Sequence, residues 1–157
     1  MIYMKEELLK FKKDIKGPYL YILISGLIIF SIFILAFVLY FVFNYEIIPF
    51  NEFEGTIFVI MSPFYMIGSF FIILISYLGY RNFGKKLDYE SFYDLRYKFT
   101  ISLVLLGFFQ YSFFGKYIVL LIVLYIIDIV ILYDLFFSEN VRAINYFQDI
   151  ENNKDKK

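Results

Sequence analysis

Long apolar blocks alternate with short polar segments along the whole chain. Four of the blocks are apolar around an entire helix and predict membrane-spanning helices. They cover residues 19–43, 56–77, 99–114 and 117–137. A soluble core of this size would not require such blocks. We therefore expect an all-α integral membrane protein that forms one membrane domain, residues 1–157, built as a four-transmembrane-helix bundle with cytoplasmic amphipathic segments.

The polar segment before the first block, residues 2–16, predicts an amphipathic helix. Its apolar side chains fall on one stripe at helical spacing: Met4, Leu8, Phe11 and Ile15. Lysines occupy much of the remaining helix surface. A basic helix beside a spanning segment favours a position in the lipid headgroup plane, and a partner-binding role is the alternative. We expect Gly17 and Pro18 to break this helix and to let the chain turn into the bilayer.

Two further polar segments predict structure outside the bilayer. Residues 88–98 are expected to form a surface helix that Asp88 caps and that leads into the third span. Residues 138–157 form a weakly amphipathic tail, and its charged end is expected to be disordered. The turn between the third and fourth spans, Gly115 and Lys116, is so short that these two spans must form an antiparallel hairpin.

Lysine and arginine are distributed unevenly, and this asymmetry predicts the orientation in the membrane. The N-terminal arm carries five, the segment between the second and third spans five, and the tail four. The first linker, residues 44–55, carries none, and the third linker carries only Lys116. We therefore expect a multi-pass protein of a prokaryotic plasma membrane with both termini in the cytoplasm. Tyrosines near the span ends, Tyr21 among them, are expected at the membrane interfaces.

The five basic residues of the middle segment predict a cytoplasmic basic surface. They are Arg81, Lys85, Lys86, Arg96 and Lys98. Basic residues interleaved with aromatic ones can bind nucleic acid. Beside spanning helices, however, they set the topology and attract anionic lipid, at about 1 kcal/mol per charge near the surface. The lipid bilayer is therefore an expected partner, and nucleic acid is not.

The composition agrees with a membrane protein and narrows the chemistry. The chain is 61% hydrophobic with a mean hydropathy of +0.70, whereas soluble domains are about 45–50% apolar. It contains no Cys and no His, which excludes thiolate nucleophiles, imidazole acid–base catalysis and the usual zinc and haem ligands. It also lacks a glycine-rich phosphate loop and a metal-spaced acidic run. We expect no enzymatic activity, no cofactor and no metal site.

One carboxylate, Asp128, lies near the middle of the fourth span. A charge at that depth costs at least about 2.5 kcal/mol on insertion scales, so it calls for an explanation. No Lys or Arg lies within any predicted span. Tyr125 is one turn away on the same face, and Ser102 lies at a comparable distance from the connecting turn. These two side chains are the expected partners, whereas Gln110 is expected close to the headgroups.

Three interpretations of Asp128 follow from these surroundings. In the first, Asp128 is a neutral carboxyl that is hydrogen-bonded inside the bundle. In the second, it is a polar contact that specifies assembly. In the third, it binds a proton or a cation. Asp134 lies near the cytoplasmic interface, about 120° from Asp128 around the helix, so the two do not predict a paired-carboxylate site. The candidates for an intramembrane polar or ion-coupling site are Asp128, Tyr125, Ser102 and Asp134.

Small residues recur along the second span. Three serines are seven residues apart, with a glycine beside them: Ser62, Ser69, Ser76 and Gly68. A stripe of small residues lets helices approach closely in lipid, where association depends on packing and hydrogen bonds. This pattern predicts a helix-packing face, and a pore lining is the alternative.

Two hypotheses of function remain. The first is a non-enzymatic membrane protein that acts by helix–helix association as a homo-oligomer, or by binding a cytoplasmic protein partner. Toxin-immunity and phage-defence membrane proteins are similar to this chain in their layout of spans and charges, and in nothing more specific. The alternative is a small oligomeric ion channel or proton-coupled transporter in which Asp128 is the titrating group.

Overall fold

The computed structural model describes residues 2–43 and 52–156, with side chains for residues 2–39 and 61–156. These parts of the chain are helical throughout. The helices are α1 (Ile2–Asp14), α2 (Lys16–Phe43), α3 (Glu52–Lys86), α4 (Tyr89–Phe114), α5 (Ile118–Phe137) and α6 (Glu139–Lys154). Most of the predicted first linker, residues 44–51, lies outside the described residues.

Three helical stretches of the described chain are long and apolar enough to cross a membrane. They are Ile2–Leu39, Met61–Lys86 and Ile118–Lys154, and their most apolar windows have mean hydropathies of 3.0, 1.7 and 2.7. The predicted all-helical fold is confirmed for the described residues, and the three candidate spans agree with a membrane protein. Helix α4, which contains the predicted span 99–114, is not among the three. Its interior polar side chains, Gln110 for example, lower its hydropathy.

The connection between α1 and α2 is a single residue, Ile15. The break was expected at Gly17 and Pro18, but these two residues lie in the first turn of α2. Proline is tolerated there because the first turn of a helix has no intrahelical acceptor for its missing N–H. The backbone N–H of Tyr19 already donates to the carbonyl of Ile15, at 2.9 Å. Helix α1 is therefore joined to the first apolar helix without a flexible linker.

The predicted cap at Asp88 is present. The Asp88 carboxylate accepts a hydrogen bond from the backbone N–H of Ser91 at 2.7 Å, and the Ser91 hydroxyl lies 3.3 Å from the Asp88 N–H, which completes a capping box. The hydrogen bond from Ser91 holds the pKa of Asp88 below its ordinary value. The predicted surface helix 88–98 and the span 99–114 form one continuous helix, α4.

The turn from α3 into α4 consists of Leu87 and Asp88. Leu87 has a φ of 48°, in the left-handed region that bulky side chains rarely adopt. Its N–H still donates to the Phe83 carbonyl at 3.0 Å, and its side chain packs against the buried core. This tight turn makes α3 and α4 an antiparallel hairpin.

In the bundle, α3 lies between α2 and α4, and α5 packs mainly against α4. Small residues allow the close approaches. A Cβ on Gly26 of α2 would lie 3.0 Å from the Ile73 side chain of α3. Stacked aromatic pairs fill the same interfaces, with ring centroids 4.1 Å apart for Tyr19 and Tyr80. Helices α2, α3 and α4 thus form the packed part of the bundle.

Helix α5 is bound to the bundle by few side chains. Of its 20 residues, only Asp128, Ile131 and Leu135 are buried. Apart from Asp134, its other side chains are aliphatic or aromatic, and most of them are exposed, up to 78% for Val119. A continuous apolar surface of this kind is typical of a membrane interaction site, because water does not favour it. The exposed faces of α2 and α3 are apolar in the same way.

Helices α1 and α6 pack against each other at one end of the bundle. Together with the adjoining ends of α3 and α4 they form what we call the helical cap. Its core contains fully buried side chains from all four helices: Leu8, Phe83, Phe92, Leu95, Val141 and Ile144. The Phe11 ring packs edge-on against Phe92, with centroids 4.9 Å apart.

The helical cap differs from what the sequence predicted in the surroundings of α1 and in the structure of the tail. The predicted apolar stripe of α1 is present, but its residues, such as Leu8 and Phe11, are buried against protein, where headgroups were expected. The tail is helical through Lys154, where its end was expected to be disordered. Ser138 starts this helix by accepting a hydrogen bond from the Val141 N–H. Burial of one face of α6 on α1 supplies the stabilisation that its polar sequence lacks.

Gly68→Ala is expected to destabilise the bundle. A Cβ on Gly68 would overlap the Phe109 ring of α4, and overpacking of this kind costs about 1–3 kcal/mol. The better helix propensity of alanine offsets about 1 kcal/mol of that cost.

Thermal unfolding of the detergent-solubilised protein, followed by circular dichroism, measures the effect. Gly107→Ala is the matched control, because a Cβ there would meet only Tyr125 at an ordinary 3.8 Å. A Gly68→Ala variant as stable as the Gly107→Ala variant would contradict the packing described here.

Candidate functional site

Asp128 lies in the middle of α5 and faces the bundle. Its side chain is only 6% exposed, although most of α5 is exposed. The hydroxyl of Tyr21 on α2 donates a hydrogen bond to Asp128 Oδ1 at 2.8 Å. The buried carboxyl that the sequence predicted therefore has a partner, and the partner is on a helix distant in sequence.

Gln110 of α4 completes a chain of hydrogen bonds across three helices. Its Nε2 donates to the Tyr21 hydroxyl at 2.9 Å. The side chain of Gln110 is buried among the helices, and its expected position close to the headgroups stays a prediction. We call Tyr21, Gln110 and Asp128 the polar network. It connects α5 to both α2 and α4.

The polar network contains two acceptor atoms without a donor. Asp128 Oδ2 and Gln110 Oε1 are buried and have no hydrogen-bond partner. A buried acceptor left unpaired costs about 1–3 kcal/mol, and more when it is charged. Protonation of Asp128 would remove the charge and make one carboxyl oxygen a donor. The geometry therefore favours a neutral Asp128 at this buried position.

The two partners expected for Asp128 have other positions. The Tyr125 hydroxyl donates to the backbone carbonyl of Gly107 on α4, at 3.1 Å. Ser102 is fully buried, and its Oγ has no hydrogen-bond partner. Neither side chain is hydrogen-bonded to Asp128. The actual donor, Tyr21, belongs to α2. Ser102 was expected because it and Asp128 lie at comparable distances from the turn between α4 and α5. That comparison cannot identify a partner on a third helix.

Asp134 is exposed and lies away from the polar network. It lines a cavity of about 210 Å³ between the start of α2 and the end of α5. The lining residues are Phe11, Asp14, Ile15, Pro18, Ile131, Asp134, Leu135 and Ser138. The lining includes no member of the polar network, so the two carboxylates belong to separate environments, as their separation around the helix predicted.

Two members of the polar network were assigned to the membrane interfaces from the sequence. One signal in the sequence could have identified Gln110. An amide inside a span needs a hydrogen-bond partner in lipid, so it favours contact with another polar side chain. Tyr21 carries no comparable signal, because a tyrosine two residues inside a span is equally typical of the aromatic belt.

The serine stripe of α3 is buried. Ser62, Ser69 and Ser76 are at most 1% exposed. The Ser69 hydroxyl donates to the Tyr65 carbonyl at 2.8 Å, and that of Ser76 donates to the Ile72 carbonyl at 2.7 Å. These two hydroxyls are satisfied within their own helix. Ser69 and Ser76 therefore serve the packing face through the small size of their side chains, which lets neighbouring helices approach closely.

The five basic residues of the predicted cytoplasmic surface have different surroundings. Lys98 forms an ion pair with Asp94 at 2.6 Å. Lys85 and Lys86 are exposed in the last turn of α3, where a positive charge is favourable for the helix dipole. Arg81 is exposed and lies over the Tyr77 ring, 5.9 Å from its centroid.

Arg96 differs from the other four because its partly buried guanidinium lies against three aromatic rings. Its guanidinium lies 5.0 Å from the ring centroid of Phe92, 5.9 Å from that of Tyr93 and 4.7 Å from that of Phe136 on α5. Cation–π contacts of this kind contribute about 0.5–2 kcal/mol. Burial lowers the pKa of Arg96 from its ordinary value, but a guanidinium stays protonated in proteins.

No group of three or more Asp or Glu side chains that could hold a metal ion occurs within residues 2–39 and 61–156. Comparisons with protein-family models, with curated proteins and with solved structures find no match for this chain.

Tyr21→Phe is expected to destabilise the protein by about 1–3 kcal/mol, because it leaves Asp128 and Gln110 as buried groups with no partner in the polar network. Tyr125→Phe is the matched control, since it deletes one hydroxyl that bonds only to a backbone carbonyl. Thermal unfolding in detergent should show the larger loss for Tyr21→Phe. Equal losses for the two variants would argue against the polar network.

Proposed function

We propose that the chain crosses the cell membrane four times with both termini in the cytoplasm. The packing of α1 on α6 supports an even number of crossings, because these first and last helices must then lie on the same side. Helix α4 supplies the fourth crossing. Its 26 residues extend about 39 Å at helical rise, and its short turn into α5 makes the two helices antiparallel. The excess of Lys and Arg on the helical cap supports the cytoplasmic orientation.

On this topology, the function that the geometry supports best is non-enzymatic binding. The protein would bind a cytoplasmic protein partner or a second copy of itself through the helical cap. A toxin-immunity or phage-defence component would act in this way. The chain contains no Cys and no His, so it lacks two side chains that commonly act as nucleophile and as general acid or base.

The observation that carries this proposal is the fixed structure of the helical cap. Two helices outside the apolar bundle are held in place by fully buried Leu8, Phe92 and Val141. The outward faces of these helices remain available, with exposed side chains such as Leu9 and Tyr146. A preformed surface loses little conformational entropy when a partner binds.

Site-specific cross-linking in native membranes tests this proposal. The chain has no cysteine, so single cysteines can be placed without a background reaction. With a bifunctional thiol reagent or a thiol-reactive photo-cross-linker, Leu9→Cys on the helical cap should give covalent adducts at a discrete mass.

Val119→Cys is the matched control, since Val119 is an exposed apolar residue at the opposite end of α5. We expect several times less adduct from this position. No adduct from Leu9→Cys, or equal adduct from the two positions, would overturn the proposal.

A second candidate function, proton- or cation-coupled transport, is favoured by one observation. The second carboxyl oxygen of Asp128 has no hydrogen-bond partner, and a carboxyl that is free on one side can exchange a proton. In transporters, intramembrane carboxyls commonly serve as proton relays.

Asp128→Asn separates the two functions. Asparagine still accepts the hydrogen bond from Tyr21 but cannot bind a proton at neutral pH. If the protein is a transporter, proton flux into liposomes should be lost in Asp128→Asn and kept in Asp134→Asn, which changes an exposed carboxylate. If the protein acts by binding, all three proteins should give the flux of empty liposomes.

A further inference from the structure

Arg96 is a partly buried charge without a counter-charge. Its Nε is buried and has no hydrogen-bond partner. Asp94, on the preceding turn of α4, is paired with Lys98. Asp134 is two residues from Phe136, or about 200° around α5, and lines the cavity on the other side of that helix. The nearest surroundings of the guanidinium are therefore aromatic rings.

Aromatic rings orient the guanidinium without satisfying its donors. Phe92 of α4 and Phe136 of α5 have ring centroids 5.0 and 4.7 Å from the Arg96 guanidinium carbon. A ring face interacts with the positive charge but accepts no strong hydrogen bond from the five N–H groups. The guanidinium is thus held in position between two helices, with donor capacity left for an anion.

The surroundings of Arg96 are those of a membrane interface. On the proposed topology, Arg96 lies three residues before the third span, at the depth of the inner headgroups. Tyr93, Tyr97 and Tyr133 around it are exposed, and tyrosine is enriched at this depth. Below Phe136, the same face of α5 presents Ile129 and Tyr133, which are 63% and 55% exposed. This face continues from the guanidinium toward the membrane centre.

We propose that Arg96, between the rings of Phe92 and Phe136, binds the phosphate of an anionic phospholipid from the inner leaflet. The guanidinium donates to two phosphate oxygens, which is the bidentate geometry that arginine prefers. One acyl chain lies along the face of α5 formed by Ile129 and Tyr133. Basic sites between spanning helices on the cytoplasmic side suit anionic headgroups. This site depends on the proposed topology but not on the proposed protein binding.

Lipid-dependent thermal stability tests the proposal. The full-length protein is unfolded in neutral detergent micelles that contain phosphatidylglycerol or phosphatidylcholine, and circular dichroism gives the midpoint. The quantity compared is the rise in midpoint with phosphatidylglycerol minus the rise with phosphatidylcholine. We expect this difference to be positive for the parent protein and to fall close to zero for Arg96→Gln.

Arg81→Gln is the matched control. It removes the same charge from a neighbouring position, where the guanidinium is exposed and lies over a single ring. We expect this variant to keep most of the phosphatidylglycerol effect. Equal losses in Arg81→Gln and Arg96→Gln would indicate general charge attraction and would overturn the site. No phosphatidylglycerol effect in the parent protein would also overturn it.

Two further arms complete the test. Arg96→Lys keeps the charge and removes the planar guanidinium, so it should fold even if Arg96→Gln does not, and it should lose about half of the effect or more. Full retention in Arg96→Lys would contradict bidentate binding.

Inorganic phosphate at the same concentration should not reproduce the stabilisation, and an equal effect would exclude the lipid as the ligand. Cross-linking from Leu9→Cys stays unchanged in Arg96→Gln, so this test is independent of protein binding.

Discussion

On the proposed topology, α5 lies in the bilayer interior, which offers no hydrogen bonds, and this constraint explains how the helix is held. Polar groups inside lipid must find their partners within the protein. Asp128 accepts a hydrogen bond from Tyr21 on α2, and Tyr21 in turn accepts one from Gln110 on α4. Because α5 buries only three of its side chains, it has little packing to fix its position. The polar network gives this helix a specific register and rotation that its apolar contacts alone would not define.

At the opposite extreme, the helical cap is stabilised as a small soluble core would be. Its fully buried side chains come from both ends of the chain and from the adjoining ends of α3 and α4. Burial of such side chains contributes about 1.5–3 kcal/mol each where the alternative is water. In the spans that gain is absent, because lipid tails are as apolar as leucine. The helical cap and the spans are therefore stabilised by different forces. The same truncation of an apolar side chain should change the free energy of unfolding by different amounts in the two regions.

Local features of this protein could be predicted from the sequence, and contacts between distant helices could not. The helices, the cap at Asp88 and the burial of Asp128 follow from spacing, turn chemistry and the cost of a charge in lipid. The pairing of Asp128 with Tyr21 depends on how α2 lies relative to α5, and the apolar faces of these helices are too uniform to specify it. For the same reason, the stripe of α1 predicted a buried face but not the surface that buries it. The tail was predicted to be weakly amphipathic, but the helical structure of residues 151–154 was not predicted, because α6 is stabilised by packing on α1, which is far away in sequence.

The pairing of α1 with α6 has a consequence for biogenesis. Synthesis of α6 is completed about 7–28 s after that of α1 at ordinary translation rates. During that interval, the apolar stripe of α1 lacks part of its final cover. Until α6 has been synthesised, the headgroup layer is the nearest surface on which this basic, amphipathic helix can bury its stripe. Helix α1 would then exchange lipid for protein when α6 packs against it.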